Sequence, residues 1–278
     1  MNGKLKNTLN ARTLADSFPR LAQRLRPGLR VLDVGCGTGA ITRGIADAVG
    51  PQGWVVGVDS NAALIAEARA RHEGTLGLSF DVADVYSLAT DRRFDIVAAS
   101  RLLVWLSDPG LAMASLAGAA RPGGTVLVAD YNHDRIEWRP EPPDSMKKFY
   151  AAYLKWRADK GLDNAVAERL SALMEAVGLR YVRVFPQHEE MHRRQADFEA
   201  RASIWADTAA SRGAPDGKGR VWHPGSVGTG GIRVQTMDGR GSDLDQYVYA
   251  GGGRRQTRIN AAEQVKRLRR ALSECFGL

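Results

Sequence analysis

The chain has 278 residues, 44% hydrophobic and 25% charged, a globular composition that excludes a wholly disordered protein. With only two cysteines, it is neither a disulfide scaffold nor a cysteine-rich zinc module. No apolar run approaches the roughly 18 residues of a membrane span, and the first eight residues do not form a secretory signal. We therefore expect a cytoplasmic protein without membrane attachment.

The net charge of +8 is unevenly distributed along the chain. Residues 211–278 contain 12 Lys or Arg and 6 Asp or Glu, whereas residues 1–210 contain 27 and 25. Most of the excess positive charge therefore belongs to the tail, and the main body is almost neutral. A basic tail favours nucleic-acid binding, but a near-neutral body disfavours it.

Predicted strands and helices alternate along the first 210 residues. The strands are short and almost continuously apolar, which is typical of a parallel sheet with helices on both faces. The predicted strands are 30–34, 54–59, 78–82, 94–99, 125–130 and 181–185. The predicted helices are 13–25, 40–49, 61–71 (capped by Ser60), 111–120, 165–177 and 197–210.

Two segments depart from this alternation. Residues 131–165 are rich in aromatic and charged side chains, and we interpret them as a helical lid over the substrate, although a helical packing stripe explains the aromatics nearly as well. From about residue 213 the chain is rich in glycine, and only 259–275 has a helical pattern, strongly basic. We divide the chain into a domain at 1–210 and a divergent tail at 211–278. Two explanations stay open for the tail: that it is disordered, or that it is translated from a shifted reading frame.

A glycine-rich loop carries most of the functional information. The run V-L-D-V-G-C-G-T-G, residues 31–39, is an apolar strand followed by three glycines, and Asp59 lies twenty residues beyond Gly39. The glycines permit a tight turn and close approach of a ligand to the backbone. An acid at the end of the second strand is placed to bind ribose hydroxyls. The pattern indicates a nucleotide-like cofactor, without the spacing of a dinucleotide site.

This run closely resembles the first motif of class I S-adenosylmethionine-dependent methyltransferases. The order of later motifs agrees: Asp59 ends the second strand, Asp84-Val85 follows the third, 94–97 forms the fourth and 121–124 precedes the fifth. The resemblance covers about residues 10–210 and is strongest to the small-molecule branch related to ubiquinone/menaquinone-biosynthesis methyltransferases. It implies a Rossmann-like, doubly wound, mostly parallel α/β sheet with S-adenosyl-L-methionine as cofactor.

The resemblance assigns cofactor contacts to residues near the ends of the first four strands and to the amino-terminal segment. Asp33 is expected to order the loop, Asp59 to accept from both ribose hydroxyls, and Asp84 to accept from the adenine amino group. The other expected contacts are Arg12, Gly35, Gly37, Gly39, Ser60, Asn61, Val85, Ser100 and Arg101. Plain structural roles stay open for three of these residues: Arg12 as a surface charge, Asp33 as a loop acceptor and Asp84 as a helix cap.

His133, which follows the fifth strand, is the candidate general base. A base is needed only if the methyl acceptor must lose a proton, and a purely structural histidine is the alternative. Cys36 is interpreted as a small filler in the loop, and His188 and His192 lack a set of metal partners. The leading function is methyl transfer to a small molecule; the alternatives are an RNA methyltransferase that uses the tail and a catalytically impaired cofactor-binding protein.

The tail lacks a convincing seventh strand, with which relatives of this type usually close the sheet. It offers only 246–250, followed by three glycines. Codons can be chosen for 247–253 that encode a relative-like strand in a shifted frame, which motivates the frameshift hypothesis. If that hypothesis holds, the basic tail is an accident of reading and not a binding module.

Overall fold

The computed structural model describes residues 10–88, 94–138, 141–142, 144–187 and 245–251, the last of these as backbone. The strands are β1 Arg30–Val34, β2 Trp54–Asp59, β3 Leu78–Val82, β4 Phe94–Ser100, β5 Ala120–Tyr131, β6 Arg180–Gln187 and β7 Asp245–Gly251. The helices are α1 Leu14–Ser17, α2 Pro19–Ala22, α3 Ala40–Val49, α4 Ala62–Arg71, α5 Pro109–Ala119, α6 Asp144–Asp159 and α7 Val166–Ala176. Short 3₁₀ turns lie at Val85–Ser87, Leu103–Trp105 and His133–Arg135.

The strands form one seven-stranded sheet in the order β3-β2-β1-β4-β5-β7-β6. Strands β1 to β5 run parallel, and Leu32 at the centre of β1 lies beside Val56 of β2 and Val97 of β4. The strand order reverses between β1 and β4. Open α/β sheets bind ligands outside the carboxyl ends of the strands at such a switch point. The topology therefore predicts a ligand site formed by the residues that follow β1, β2 and β4.

Helices cover both faces of the sheet, as the apolar strands predict. On one face, buried side chains of α5 and α7, such as Leu116 and Leu170, belong to one core with β1, β2, β4 and β5. On the other face, Phe18, Leu21 and Ile45 belong to a second core with the same central strands. No helix among the described residues combines the length and the apolar character that crossing a bilayer requires.

The predicted helix at 13–25 is two short helices separated at Phe18. Phe18 has φ −148°, outside the helical region, and Pro19 begins α2. A residue that precedes proline is disfavoured in the helical conformation, and proline lacks the amide hydrogen that would continue the first helix. Strand β5 is also longer than predicted, because the expected turn at 121–124 lies within it beside a register shift of β4.

Strand β7 corrects the expectation that the tail lacks a seventh strand. It pairs antiparallel with β5 on one side and β6 on the other, so that Val248 lies opposite both Val128 and Val184. The sequence Tyr247-Val248-Tyr249 consists of residue types that favour strands. The pairing of β7 does not bear on the reading frame of the gene, so the frameshift hypothesis for the tail stays a hypothesis. The predicted helices at 197–210 and 259–275 lie outside the described residues.

A proline at position 248 tests whether β7 belongs to the sheet. Both edges of β7 are paired, so Val248→Pro removes a ladder hydrogen bond and leaves a carbonyl unpaired, which costs about 1–3 kcal/mol of the free energy of unfolding. Val248→Thr keeps a β-branched side chain and is the matched control. Urea denaturation measures both variants. Equal stability of the proline variant and the parent would show that β7 lies outside the cooperative fold.

Candidate functional site at the carboxyl ends of the strands

The glycine-rich loop after β1 folds back onto the end of β2. The amides of Gly35 and Cys36 both donate to the carbonyl oxygen of Val58, at 2.8 and 3.0 Å. Gly35, Gly37 and Gly39 have φ of 77°, 57° and 77°, in the left-handed region that glycine adopts at little cost. The three glycines therefore build the tight strand-to-helix turn that the motif predicts.

The glycines differ in what surrounds them. A Cβ atom at Gly39 would lie 2.6 Å from the Phe80 ring, so packing alone excludes a side chain there. At Gly37 a Cβ atom would meet no heavy atom within 4 Å. The loop is therefore open at Gly37, and this is the space through which a bound ligand can approach the backbone.

The carboxylate of Asp59 lies between this loop and the start of α4. Its Oδ2 accepts from the Gly37 amide at 3.0 Å, and its Oδ1 accepts from the Asn61 amide at 2.9 Å. Asn61, and not Ser60 as predicted, caps α4, because its side chain accepts from the amides of Ala63 and Leu64. Asp59 thus fixes the loop and α4 relative to each other, and each carboxylate oxygen keeps lone-pair capacity for a ligand.

Asp33 lies beneath the loop and is 4% exposed. Its Oδ2 accepts from the Thr42 hydroxyl at 2.6 Å, which ties the end of β1 to α3. Burial raises the pKa of Asp33 to about 6; the Thr42 hydrogen bond opposes this shift and the charge of Asp59 adds to it. The position fits the loop-ordering role that the resemblance implies.

Cys36 has the environment of a filler and not of a nucleophile. Burial raises the pKa of its thiol, and the nearby carboxylates of Asp33 and Asp59 raise it further. The reactive thiolate is therefore strongly disfavoured.

Asp84 and Val85 follow β3, as predicted. Oδ1 of Asp84 accepts from the Tyr86 amide at 2.9 Å and so caps the turn Val85–Ser87. Asp84 therefore has the capping role that is the structural alternative to adenine binding. A cap engages one carboxylate oxygen, so the adenine contact stays a prediction.

Arg101 joins three elements at the end of β4. Its backbone has φ 56°, a left-handed conformation that is uncommon for a residue with a side chain. The guanidinium donates to the Ser100 hydroxyl at 3.2 Å, to the Ser17 carbonyl at 3.5 Å and to the Tyr131 hydroxyl. Ser100 and Arg101 therefore lie together after β4, and their cofactor contacts, like that of the half-buried Arg12, stay predictions.

Asp130 is an important residue that the sequence analysis did not single out. It is fully buried at the end of β5 and accepts from the amides of Val104 and Tyr131, at 3.0 and 2.9 Å. Burial raises its pKa to about 6, and the backbone hydrogen bonds and the charge of Arg101 oppose this shift. The sequence did carry a signal for this residue, because Asp130 is an acid at the end of an apolar strand. Asp130 holds the turn after β4 against β5.

His133 is buried among aromatic side chains and is 7% exposed. Its amide donates to the Asn164 carbonyl at 2.7 Å, and its ring lies 5.7 Å from the Tyr131 ring and 6.0 Å from the Tyr153 ring. Burial lowers the pKa of His133 to about 3, and the charge of Arg157 lowers it further. The imidazole is therefore neutral at physiological pH.

Arg157 was also missed, and it connects α6 to the turn after β4. It is fully buried; its Nε donates to Oδ1 of Asn164 at 2.7 Å and its Nη2 to the Val104 carbonyl at 2.5 Å. The guanidinium lies 4.9 Å from the centre of the Trp105 ring and 5.6 Å from that of Tyr153. An arginine inside an aromatic helix gives no sequence signal for its contacts with Asn164, Val104 and Trp105, because these residues lie outside α6.

The aromatic residues of α6 pack on one another. Tyr153 stacks with Phe149 at 6.4 Å and with Trp156 at 6.0 Å, and Trp138 meets the Tyr150 ring edge-on at 6.2 Å. Packing between these rings therefore explains much of the aromatic content of the segment, which a substrate lid would also explain. Within the described ranges no three His, Cys, Asp or Glu side chains come together as metal ligands, and His188 and His192 lie outside those ranges.

Comparison with known proteins identifies the family. Residues 25–174 match the model of a methyltransferase domain. The ubiquinone/menaquinone biosynthesis C-methyltransferase UbiE of Burkholderia multivorans is 30% identical over 190 residues, which cover 61% of this chain and 74% of that relative. The chain belongs to the class I S-adenosylmethionine-dependent methyltransferases. The resemblance read from the glycine loop is thereby confirmed.

Two further proteins are similar to this chain. The trans-aconitate 2-methyltransferase of Deinococcus radiodurans is 37% identical over 115 residues, 41% of this chain and 43% of that enzyme. The putative methyltransferase solved with the Haloferax volcanii Trm112 activator superposes with a TM-score of 0.57 at 16% identity, over 91% of this chain and 95% of the other. This likeness confirms the Rossmann-like fold. The chain spans less than half the length of several curated relatives.

The site fits the family's cofactor in two observable respects. The open side of Gly37 leaves the backbone approachable, and Asp59 presents a carboxylate at the end of β2 with lone pairs to spare. S-adenosylmethionine carries a ribose with two hydroxyl donors, which such a carboxylate accepts. The residues present therefore suit this cofactor.

Removal of the Asp59 carboxylate tests the cofactor site. Asp59→Ala removes a charged acceptor worth about 1.5–3 kcal/mol, so S-adenosylmethionine affinity in titration calorimetry falls by about tenfold to over a hundredfold. Asp47→Ala is the matched control, because Asp47 is an exposed acid of α3 that pairs with Arg43. Unchanged affinity in the Asp59 variant would place the cofactor elsewhere.

Burial of Asp33 predicts a dependence of stability on pH. The folded protein keeps the Asp33 proton up to about pH 6, whereas the ordinary pKa is 3.8, so the free energy of unfolding falls as pH rises between these values. Asp33→Asn has no such proton. The difference in the free energy of unfolding between this variant and the parent therefore changes in favour of the variant by up to about 3 kcal/mol from about pH 4 to pH 7, as measured by urea denaturation at each pH. A difference that stays constant with pH would contradict the raised pKa.

Proposed function

We propose that this protein transfers the methyl group of S-adenosylmethionine to a small-molecule acceptor by in-line displacement. Family membership supports the cofactor, and the named relatives act in ubiquinone/menaquinone biosynthesis and on trans-aconitate. The observation that carries the small-molecule assignment is the aromatic character of the residues near the ends of β4 and β5. The guanidinium of Arg101 lies over the Tyr131 ring, and that of Arg157 lies over the rings of Trp105 and Tyr153.

Each side of the site has a separate task in this proposal. Asp59, with the backbone at Gly35 and Gly37, binds the ribose and the methionine part of the cofactor, while Asp33 holds the loop from beneath. Ser60, Asn61, Asp84 and Val85 flank the adenine. Ser100 and Arg101 lie where cofactor and acceptor meet.

The bound cofactor supplies a sulfonium whose sulfur is already a good leaving group. The protein therefore has to align the acceptor and exclude water, and these two effects provide most of the rate acceleration. Asp130 and Arg157 contribute by fixing the turn after β4, which carries Trp105. His133 lies next to Tyr131 on the acceptor side. Its role as a general base stays a prediction, and its lowered pKa disfavours that role.

Transfer of a labelled methyl group tests the proposal. The protein is incubated with methyl-labelled S-adenosylmethionine and three fractions of a cell extract, namely small metabolites, RNA and protein. We expect label in the metabolite fraction alone. We expect Gly37→Val to be inactive, because a side chain there is strained at φ 57° and would occupy the open space of the loop that a ligand needs.

The other outcomes separate the alternatives. Label in the RNA fraction, with a steep dependence on salt concentration, would replace this proposal by an RNA methyltransferase. Cofactor binding in calorimetry without label in any fraction would indicate a catalytically impaired cofactor-binding protein.

A further inference from the structure

One buried ring nitrogen near the end of β5 lacks a hydrogen-bond partner among the described residues. This atom is Nε2 of His133. A buried polar atom without a partner costs stability, because folding removes its water without replacement. No described residue supplies a partner, so Nε2 keeps its capacity for a hydrogen bond with a bound molecule.

The opposite nitrogen of the same ring determines which form of His133 is present. The Tyr150 hydroxyl lies 2.8 Å from the His133 carbonyl oxygen and 3.3 Å from Nδ1. A hydroxyl has one hydrogen, and the shorter distance assigns that hydrogen to the carbonyl oxygen. The Tyr150 oxygen then faces Nδ1 as an acceptor, which requires a hydrogen on Nδ1. In a neutral imidazole, Nε2 is then left with a lone pair.

We propose that Tyr150 is a positioning residue that holds His133 as the Nδ1–H tautomer, so that Nε2 accepts a hydrogen bond from a protic group of the methyl acceptor. This inference rests on the proposed function and deepens it. His133 is then a residue that selects the acceptor.

The surroundings favour a hydrogen bond over full proton transfer. A positive imidazolium at this position would be buried and would face the Arg157 guanidinium, and the lowered pKa of His133 reflects both effects. His133 is therefore suited to bind the methyl acceptor by a hydrogen bond and poorly suited to take up a proton from it. A lone pair at Nε2 also repels an anionic carboxylate oxygen, whereas it attracts a hydroxyl or an N–H donor.

The aromatic neighbours restrict the shape of the group that reaches Nε2. The Tyr131 ring is tilted by 40° to the imidazole, and the Tyr153 ring stands nearly perpendicular to it at 85°. Aromatic rings therefore surround the imidazole, and the group that Nε2 accepts from is a neutral hydroxyl or N–H donor.

Nitrogen NMR of histidine-labelled protein measures the tautomer directly and needs no substrate. We expect His133 of the native protein at neutral pH to show a protonated Nδ1 and an unprotonated Nε2. Its signals are assigned by their loss in His133→Gln or, independently of that variant, by contacts to the ring protons of Tyr131 and Tyr153. A protonated Nε2 in the native protein would overturn the inference.

Tyr150→Phe removes the oxygen that faces Nδ1, and we expect the unprotonated Nε2 signal to be replaced by a mixture of tautomers. Tyr181→Phe is the matched control, because Tyr181 is 76% exposed on β6. An unchanged tautomer in a folded Tyr150→Phe protein would show that Tyr150 does not position His133.

Phenol and anisole test the acceptor role of Nε2. The two probes have similar flat shapes, but only phenol carries a hydroxyl hydrogen. We expect phenol at millimolar concentration to shift the Nε2 signal of His133 and anisole to leave it in place. Equal shifts, or no shift with either probe, would overturn the acceptor role.

These readouts separate this inference from the proposed function. The tautomer and the phenol shift are measured without S-adenosylmethionine, whereas the proposed function fails if no labelled methyl group reaches the metabolite fraction. A correct tautomer together with absent methyl transfer would leave Tyr150 as a positioning residue in a protein that is not an active small-molecule methyltransferase.

Discussion

The carboxylate of Asp59 connects the two halves of the cofactor side of the molecule. One oxygen holds the glycine loop through the Gly37 amide, and the other holds the start of α4 through the Asn61 amide. Both contacts require β2 to end beside β1, which the parallel register of these strands provides. Together with the Val58 carbonyl, this carboxylate keeps the loop folded back over β2 with Gly37 open to its surroundings.

Buried charged groups organise the acceptor side in a comparable way. Asp130 holds the turn after β4 from the β5 side, and Arg157 holds the same turn from α6. The turn is thus fixed between two elements that are distant in the sequence. Replacing one buried charged group would leave its partners unsatisfied, so these two residues matter for the geometry of the turn after β4.

Local sequence patterns predict the glycine loop and the strands around it well. The glycines, Asp59 and the first five strands follow from short motifs and apolar runs, because each depends on neighbours close in the chain. The same local reasoning fails at Phe18, where the following proline ends α1, and at Ser60, where Asn61 is the better-placed cap.

The acceptor side could not be predicted in the same way. Arg157 binds Val104, 53 residues earlier, and Asp130 binds the amide of the same residue, 26 residues earlier. Strand β7 completes the sheet from a position far along the tail, where composition alone favours a linker. Such pairings depend on the three-dimensional arrangement of elements, and a single sequence carries no local signal for them.

Amide hydrogen exchange, with and without S-adenosylmethionine, tests the central claim most directly. If the cofactor binds at the ends of β1 and β2, the amides of the glycine loop and of the first turn of α4 gain protection when it is added. The amides at the amino ends of these strands, near Arg30 and Trp54, stay unchanged. Protection confined to any other part of the sheet, or none at saturating cofactor, would contradict this account.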